Sequence, residues 1–358
     1  MIEPNKGLEE ATGVLRAVAA GGDAAALGAL GKHLLVHHPD RVREGMEALL
    51  AATRAGNGEA AHIVAVYLAE GVGFAQSWPS ALGLLQRSAD LGFQPAQREL
   101  AFLAGLSPGK VIDIAPLLIS PPARAVSADP RIFAIDGFAS PAICDWLAAL
   151  GLPLLKPATT YDPASGVQRT EAGRTNSDCH LILPHSDLVL AAMRQRIANA
   201  VSLPLRYFEV TTMLHYRPGQ EFAHHHDFLD DALPGYAQEI AAGGQRVLTF
   251  LLYLNDGFEG GETDFPLAGV RYKGAKGDAV FFWNVTPDGA LDRLTLHAGL
   301  PTSSGEKNLL SQWVRTRRSE SMHPAGFVRA LQREHRDADL EVFARGGAHV
   351  IGAGHESR

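Results

Sequence analysis

The stretch EFAHHHDFLDD, residues 221–231, sets three consecutive histidines directly before an aspartate, with a further acidic pair, Asp230 and Asp231, behind it. In an extended strand, side chains two residues apart share a face and immediate neighbours point to opposite faces. Read as a strand, His225 and Asp227 share one face, while His224 and His226 share the other with Phe228. A histidine and a carboxylate on one strand face are two legs of the 2-His-1-carboxylate arrangement, which holds Fe(II) and leaves three positions open. His224 and His226 are then expected to be a solvated or supporting pair, not ligands.

The third leg has to come from elsewhere, and the candidate is His297 in LTLHAGLPTSSGEK, residues 294–307. It closes another β-rich run, and Lys307 follows ten residues later where the next strand is expected. A fixed cation near an iron site suits a dicarboxylate co-substrate. One end chelates the metal and the other accepts a charge-assisted hydrogen bond, worth about 1.5 to 3 kcal/mol. The arrangement asks for 2-oxoglutarate. Burying His225, Asp227, His297 and Lys307 without a shared ligand would be costly.

Outward from this stretch the chain is written in short β-rich runs separated by turns: RIFAID (131–136), RYFEVTTMLHYR (206–217), RVLTFLLYLN (246–255), GDAVFFWNV (277–285), LTLHAG (294–299) and NLLSQWVRTR (308–317). With one helical insert, DLVLAAMRQRIANAV (187–201), they predict a β-sandwich or barrel with flanking helices. Residues 1–106 have a different grammar, rich in Ala, Leu and Gly with apolar residues at helical spacing, as in AALGALGKHLL (25–35) and MEALLAATRAG (46–56). Ala20-Gly21 with Ala25, Ala55-Gly56 with Ala60, and Leu91-Gly92 with Ala96 recur at intervals of 35 and 36 residues. A Gly closing one helix and small residues opening the next is what stacked helix pairs require. Pro, Gly and Ser punctuate residues 107–128, the expected linker, and a charged, helix-compatible tail occupies 321–358.

At 358 residues, two domains are the default expectation. The net charge of -7 contains no polybasic run to neutralise phosphates, which excludes nucleic acid and anionic membrane as partners. No uncharged apolar run reaches the roughly 18 residues of a membrane span, and the first residues lack a signal-peptide pattern. Cys144 and Cys179 form neither a disulfide framework nor a thiolate metal site. A cytoplasmic protein is expected. His62, His180, His185 and His215 read as ordinary histidines.

The segment YRPGQEFAHHHD (216–227) resembles the Y-x-x-G-Q-x-Y-x-x-H-x-D pattern of the prolyl 4-hydroxylase family of Fe(II)/2-oxoglutarate dioxygenases. The resemblance continues through GGQRVLTFLLYLND, GGETDFP, KGDAVFFWN and HAGLPTSSGEKNLLSQWVR, and upstream through IFAIDGFASPAICDWL and GRTN, covering about residues 130 to 317. It implies a double-stranded β-helix, or jelly roll, spanning residues 129–320, within an α+β chain that begins with the helical module. It further implies Fe(II), with 2-oxoglutarate and O2 as co-substrates and ascorbate as an accessory. His225, Asp227 and His297 become the iron ligands. Lys307 takes the distal carboxylate of 2-oxoglutarate with help from Tyr216 and Thr263, and Trp313 borders the same pocket. Arg246, Glu209 and Arg174 fall where the family shapes its peptide groove; a structural ion-pair network is the competing reading. Residues 21–105, with GNGEAAHIVAVYLAEGVG and SALGLLQRSADLGFQPAQRELAFLAG, resemble Sel-like repeats, relatives of the tetratricopeptide repeats. That implies either a surface docking a protein partner or a helical cap that stabilises the next domain.

Phe222 stands where the family has a tyrosine, which weakens proline as the target. Asp227 is present, where a small residue would have opened a halide position. The expected function is a prolyl 4-hydroxylase-type hydroxylase acting on a peptide or protein. The rival readings are hydroxylation of another residue or a small metabolite, and a repeat scaffold with a merely structural oxygenase domain.

Overall fold

The computed structural model describes residues 4–107, 111–162, 167–169 and 173–317. The expected tail, 321–358, lies outside the described residues. The chain divides into two compact units, one formed by residues 1–118 and 182–195, the other by residues 119–181 and, among the described residues, 196–317.

Six helices among the described residues build the repeat stretch of the first unit: α1 (Pro4–Ala19), α2 (Ala24–His37), α3 (Val42–Arg54), α4 (Gly58–Glu70), α5 (Trp78–Asp90) and α6 (Gln94–Leu106). The sequence repeat falls on the turns between paired helices. Gly56 and Gly92 take φ of +93° and +85° there, left-handed values that a β-carbon disfavours. Asn57 caps α4 by accepting from the Ala60 amide and donates through Nδ2 to the Ala24 carbonyl, so one side chain ties two repeat units together. Helices α2 and α3 approach so closely at Gly31 that an added β-carbon would stand 2.7 Å from the Gly45 carbonyl.

Residues 182–195 pack with these helices although the sequence sets them inside the β-rich half. Glu99 of α6 accepts from the Leu188 amide and pairs with His62 at 2.6 Å, and Glu70 of α4 accepts from the Arg194 guanidinium at 2.8 Å. Both partners of the second pair are almost wholly buried, and burial pushes the Glu70 carboxyl up against the pull of Arg194. A buried ion pair adds little net stability, but removing one partner strands the other charge. Glu70→Ala is therefore expected to destabilise the folded chain by about 3–5 kcal/mol, read as a lowered denaturant midpoint by circular dichroism; an unchanged midpoint would contradict a dry pair.

Helix α7 (Pro141–Gly151) belongs to the second unit, whereas α8 (Leu188–Val201), the expected helical insert, starts in the first unit and ends in the second; Asp187 caps it by accepting from the Leu190 amide. The strands of the two larger sheets, in chain order, are β1 (Arg124–Ser127), β2 (Ile132–Ile135), β3 (Lys156–Pro157), β4 (Ser177–Leu181), β5 (Thr211–Tyr216), β6 (Phe222–His225), β7 (Arg246–Tyr253), β8 (Thr263–Phe265), β9 (Val270–Tyr272), β10 (Ala279–Trp283), β11 (His297–Gly299) and β12 (Lys307–Arg315). A large antiparallel sheet runs β1-β2-β10-β7-β12-β5-β4-β3, and a smaller one runs β9-β8-β11-β6. Strand β1 and a short helix, Ala115–Leu118, lie in the stretch expected as a linker.

The two sheets share a core. Leu214 and Tyr216, Leu251 and Tyr253, and Val280 and Phe282 face it at period two from the large sheet, and meet Phe265 and Tyr272 of the small one. This is the jelly-roll architecture. Its alternation is legible in RVLTFLLYLN, where every second side chain enters the core and the intervening ones face the other side. On that other side, α7 runs so near the sheet that the Gly151 carbonyl accepts from the Cys179 thiol and the Tyr253 carbonyl from the Cys144 thiol. Both cysteines are buried and unpaired, and burial pushes their thiols up to about 11 and about 12, so they act as packing groups. Among the described residues no helix is long and apolar enough to cross a membrane.

Candidate active site

Strands β6 and β11 pair antiparallel with His225 directly opposite His297, which brings the two imidazoles to 4.3 Å between ring centroids. Two residues beyond His225, the chain carries Asp227 to the same face. Asp227 Oδ1 lies 3.6 Å from His225 Nε2, and Oδ2 lies 3.5 Å from His297 Nε2. The three ligating atoms all fall within 4.8 Å of one another, and no other such group of His, Cys, Asp or Glu occurs among the described residues.

The backbone sets the state of each group. His225 Nδ1 donates to the Ala223 carbonyl at 2.8 Å, and His297 Nδ1 donates to the Thr295 carbonyl at 3.0 Å. Both bonds fix the tautomer that leaves the Nε2 lone pair free. Burial first, and the neighbouring His225 second, push His297 down to about 4, so it is neutral at physiological pH. Burial alone would push the Asp227 carboxyl up. The adjacent imidazoles, His297 foremost, and the Thr249 hydroxyl outweigh it and hold the carboxyl far below the usual range. Two imidazole Nε2 atoms and one carboxylate converging on one point fit Fe(II) and leave room for further ligands.

His224 and His226 leave this face. His224 is half exposed, 3.4 Å from Asp264, and His226 donates to the Arg293 carbonyl and stacks on Phe228 at 4.4 Å. Of the histidines read as ordinary, His62 pairs with Glu99, His180 contacts the Thr212 hydroxyl and His215 contacts Asn308.

The cavity beside the triad encloses about 440 Å³, part of it open to solvent, and is lined by Arg174, Tyr216, Phe222, Thr263, Lys307 and Trp313 together with the three candidate ligands. Lys307 begins β12 opposite Tyr216 of β5. Its ammonium is fully buried, donates to the Gly261 carbonyl at 2.6 Å and sits 5.0 Å from the Tyr216 ring centroid. Burial pushes the amine down to about 7, opposed by Glu262 and reinforced by Lys273. No carboxylate among the described residues pairs with it. Thr263 bonds the Tyr253 hydroxyl at 3.0 Å, which in turn donates to the Tyr272 carbonyl.

The expected groove residues divide. Arg174 lines the cavity, donating to the Thr159 carbonyl and to Asp178 while its guanidinium lies over Phe222 at 4.6 Å. Phe222 in turn stacks flat on His225, with ring centroids 3.6 Å apart. Arg246 and Glu209 do not line the cavity. They form a two-bond ion pair at 2.6 and 3.0 Å, Arg315 adds a third bond to Glu209, and Arg246 stacks behind Trp313 at 3.8 Å. Leu214, Leu251, Leu309, Gly299 and Ser311 also line the cavity, and none was a sequence candidate. For Leu251 a signal existed: its parity with Tyr253 in β7.

Comparison with known proteins extends this geometry to a lineage. The 2OG-Fe(II) oxygenase superfamily matches residues 211–315, the span holding the triad, Lys307 and Trp313. Prolyl 4-hydroxylase 1 of Arabidopsis thaliana is 36% identical over 206 residues, covering 54% of this chain and 71% of the relative. Prolyl 4-hydroxylase 13 of the same organism is 33% identical over 213 residues, covering 54% and 74%. A solved viral collagen prolyl hydroxylase from Paramecium Bursaria Chlorella virus-1, in complex with 2OG, aligns over 51% of this chain and 94% of its own at 29% identity, with a TM-score of 0.38. With more than two thirds of such relatives matched at over 30% identity, the chain belongs to the 2OG-Fe(II) oxygenase superfamily, as a homologue of the prolyl 4-hydroxylases.

Proposed function

We propose that this protein hydroxylates a prolyl residue of a peptide or protein, using Fe(II), 2-oxoglutarate and O2 with ascorbate as an accessory. One observation carries the reading: a single cavity has two imidazole Nε2 atoms and a carboxylate on one wall, and on another a buried ammonium that no carboxylate among the described residues pairs with. The relatives' names supply prolyl residues as the substrate class.

In this proposal His225, Asp227 and His297 hold the iron. The bound metal supplies O2 activation, coupled to decarboxylation of 2-oxoglutarate to succinate and CO2, and hydroxylation of a substrate C–H bond. Lys307 fixes the distal carboxylate, with the Tyr216 and Thr263 hydroxyls on the same wall. Leu214, Leu251 and Leu309 keep that end dry, which strengthens the Lys307 charge pairing. Arg174 and Trp313 border the substrate side, and the Glu209–Arg246 pair acts through Trp313 by clamping its ring.

The domain scheme we propose is a repeat module at 1–106, a linker at 107–128, the oxygenase domain at 129–320 and a tail at 321–358, with the module docking the protein substrate. Two buried, unpaired thiols suit a cytoplasmic setting. A second reading, hydroxylation of another residue or a small metabolite, is favoured by Phe222, whose ring brings no hydroxyl to the substrate side.

Incubation with Fe(II), 2-oxoglutarate, ascorbate and proline-containing peptides tests the proposal. The expected result is succinate formation matched by a +16 Da shift on proline. A shift on a different residue or on a metabolite would establish the second reading, and no turnover with any candidate would overturn both.

A further inference from the structure

The carboxylate of Asp227 has a supporting chain of its own. Thr249, in the middle of β7 and 1% exposed, donates its hydroxyl hydrogen to Asp227 Oδ2 at 2.7 Å. The same hydroxyl oxygen accepts from Asn284 Nδ2 at 3.0 Å, and Asn284 is fully buried at the end of β10. Asn284 is itself pinned by its backbone, its amide donating to the Val247 carbonyl and its carbonyl accepting from the Asp292 amide.

A threonine hydroxyl carries one hydrogen and two lone pairs. With Asn284 donating into a lone pair, the single hydrogen is directed to Asp227, and the bond to a carboxylate is charge-assisted. The consequence matters for a centre needing three open positions. A carboxylate free to rotate about its Cβ–Cγ bond can present both oxygens to one ion and consume a position. One whose Oδ2 is tethered keeps a fixed plane. The two histidines are oriented by backbone carbonyls, whereas among the described residues the side-chain donor on Asp227 is Thr249.

We propose that Thr249, aimed by Asn284, is the positioning residue of the metal centre: its hydroxyl sets the plane of the Asp227 carboxylate. The inference rests on the metal-centre reading above. The test uses the full chain with Co(II), whose visible absorption reports coordination number and geometry, and with Fe(II) plus 2-oxoglutarate under anaerobic conditions.

Thr249→Val keeps the shape and removes the hydroxyl; Thr249→Ser keeps the hydroxyl and removes a methyl. The expected result is that Thr249→Val weakens Co(II) affinity by about 10- to 100-fold, the range typical of lost outer partners, and changes the Co(II) spectrum. Thr249→Ser stays within a few-fold of the wild type, and circular dichroism shows all variants folded. Thr249→Val with wild-type affinity and spectrum would overturn the inference, as would Thr249→Ser failing to the same degree as Thr249→Val, which would assign the effect to packing. His225→Ala separates the two levels. If the wild type binds Co(II) and His225→Ala does not, a silent Thr249→Val refutes only the positioning role; if both bind alike, the metal centre itself is refuted.

Discussion

His225→Ala abolishes Fe(II) uptake and 2-oxoglutarate turnover, while His224→Ala and His226→Ala retain both; this is the largest difference expected among neighbouring substitutions in the chain. The three residues are adjacent in sequence, yet their side chains meet different partners. His225 meets His297 and Asp227, His224 meets Asp264, and His226 meets the Arg293 carbonyl. Losing His225 removes one of three ligating atoms and strips one face of the Phe222 ring, leaving the Arg174 guanidinium on it. Affinity for Fe(II) should fall by more than the about 10- to 100-fold that loss of a supporting partner costs, and the anaerobic absorption of the iron and 2-oxoglutarate complex should vanish. The His224 and His226 variants should stay within a few-fold of wild type. Equal losses in all three would contradict the choice of ligand.

Lys307→Met raises the apparent KM for 2-oxoglutarate by about 10- to 150-fold, the equivalent of a charge-assisted bond of about 1.5 to 3 kcal/mol. It also makes the protein without co-substrate more stable. The two effects have one cause, a fully buried ammonium that donates to the Gly261 carbonyl and has no paired carboxylate among the described residues. Burial lowers its pKa from 10.5 to about 7. Between those values the unfolded chain binds the proton that the folded chain lacks, so this group's contribution to stability rises with pH from about 7 to 10.5 and is most unfavourable below about 7. A dicarboxylate stabilises the charged amine and reverses the shift. Binding above pH 7 must then take up a proton, and affinity for 2-oxoglutarate falls as pH rises past about 7, by at most tenfold per pH unit. Calorimetric titration at pH 8 in two buffers of different ionisation heat measures that proton directly. Equal heats in both buffers, or unchanged affinity in Lys307→Met, would contradict the assignment.

The helical half and the β-rich half differ in periodicity, and periodicity is a local property, so the division shows in the sequence. The parity of the histidine triplet is local too: the period of two separates His225 from its neighbours once the segment is a strand. By contrast, residues 182–195 read as part of the β-rich half and pack with the first unit, because Glu70 and Glu99 find their partners about ninety to one hundred and twenty residues away. The family resemblance set Glu209 and Arg246 where the peptide groove is shaped, with a structural ion-pair network as the competing reading, and the structure pairs them behind Trp313. Charge type and strand position are readable along the chain, but which side of a strand's neighbours a pair occupies depends on packing.

What the sequence determined by itself is which groups the site has: His225 and Asp227 on one strand face, His297 closing a later run, Lys307 ten residues beyond it. What only the tertiary structure decided is how they meet. The register of β6 on β11 sets His225 opposite His297, the register of β5 on β12 sets Tyr216 opposite Lys307, and three strands converge to bring Thr249 and Asn284 to Asp227. Register is a property of pairs of strands and is selected by which faces the core buries, so it exists only once the distant segments have packed.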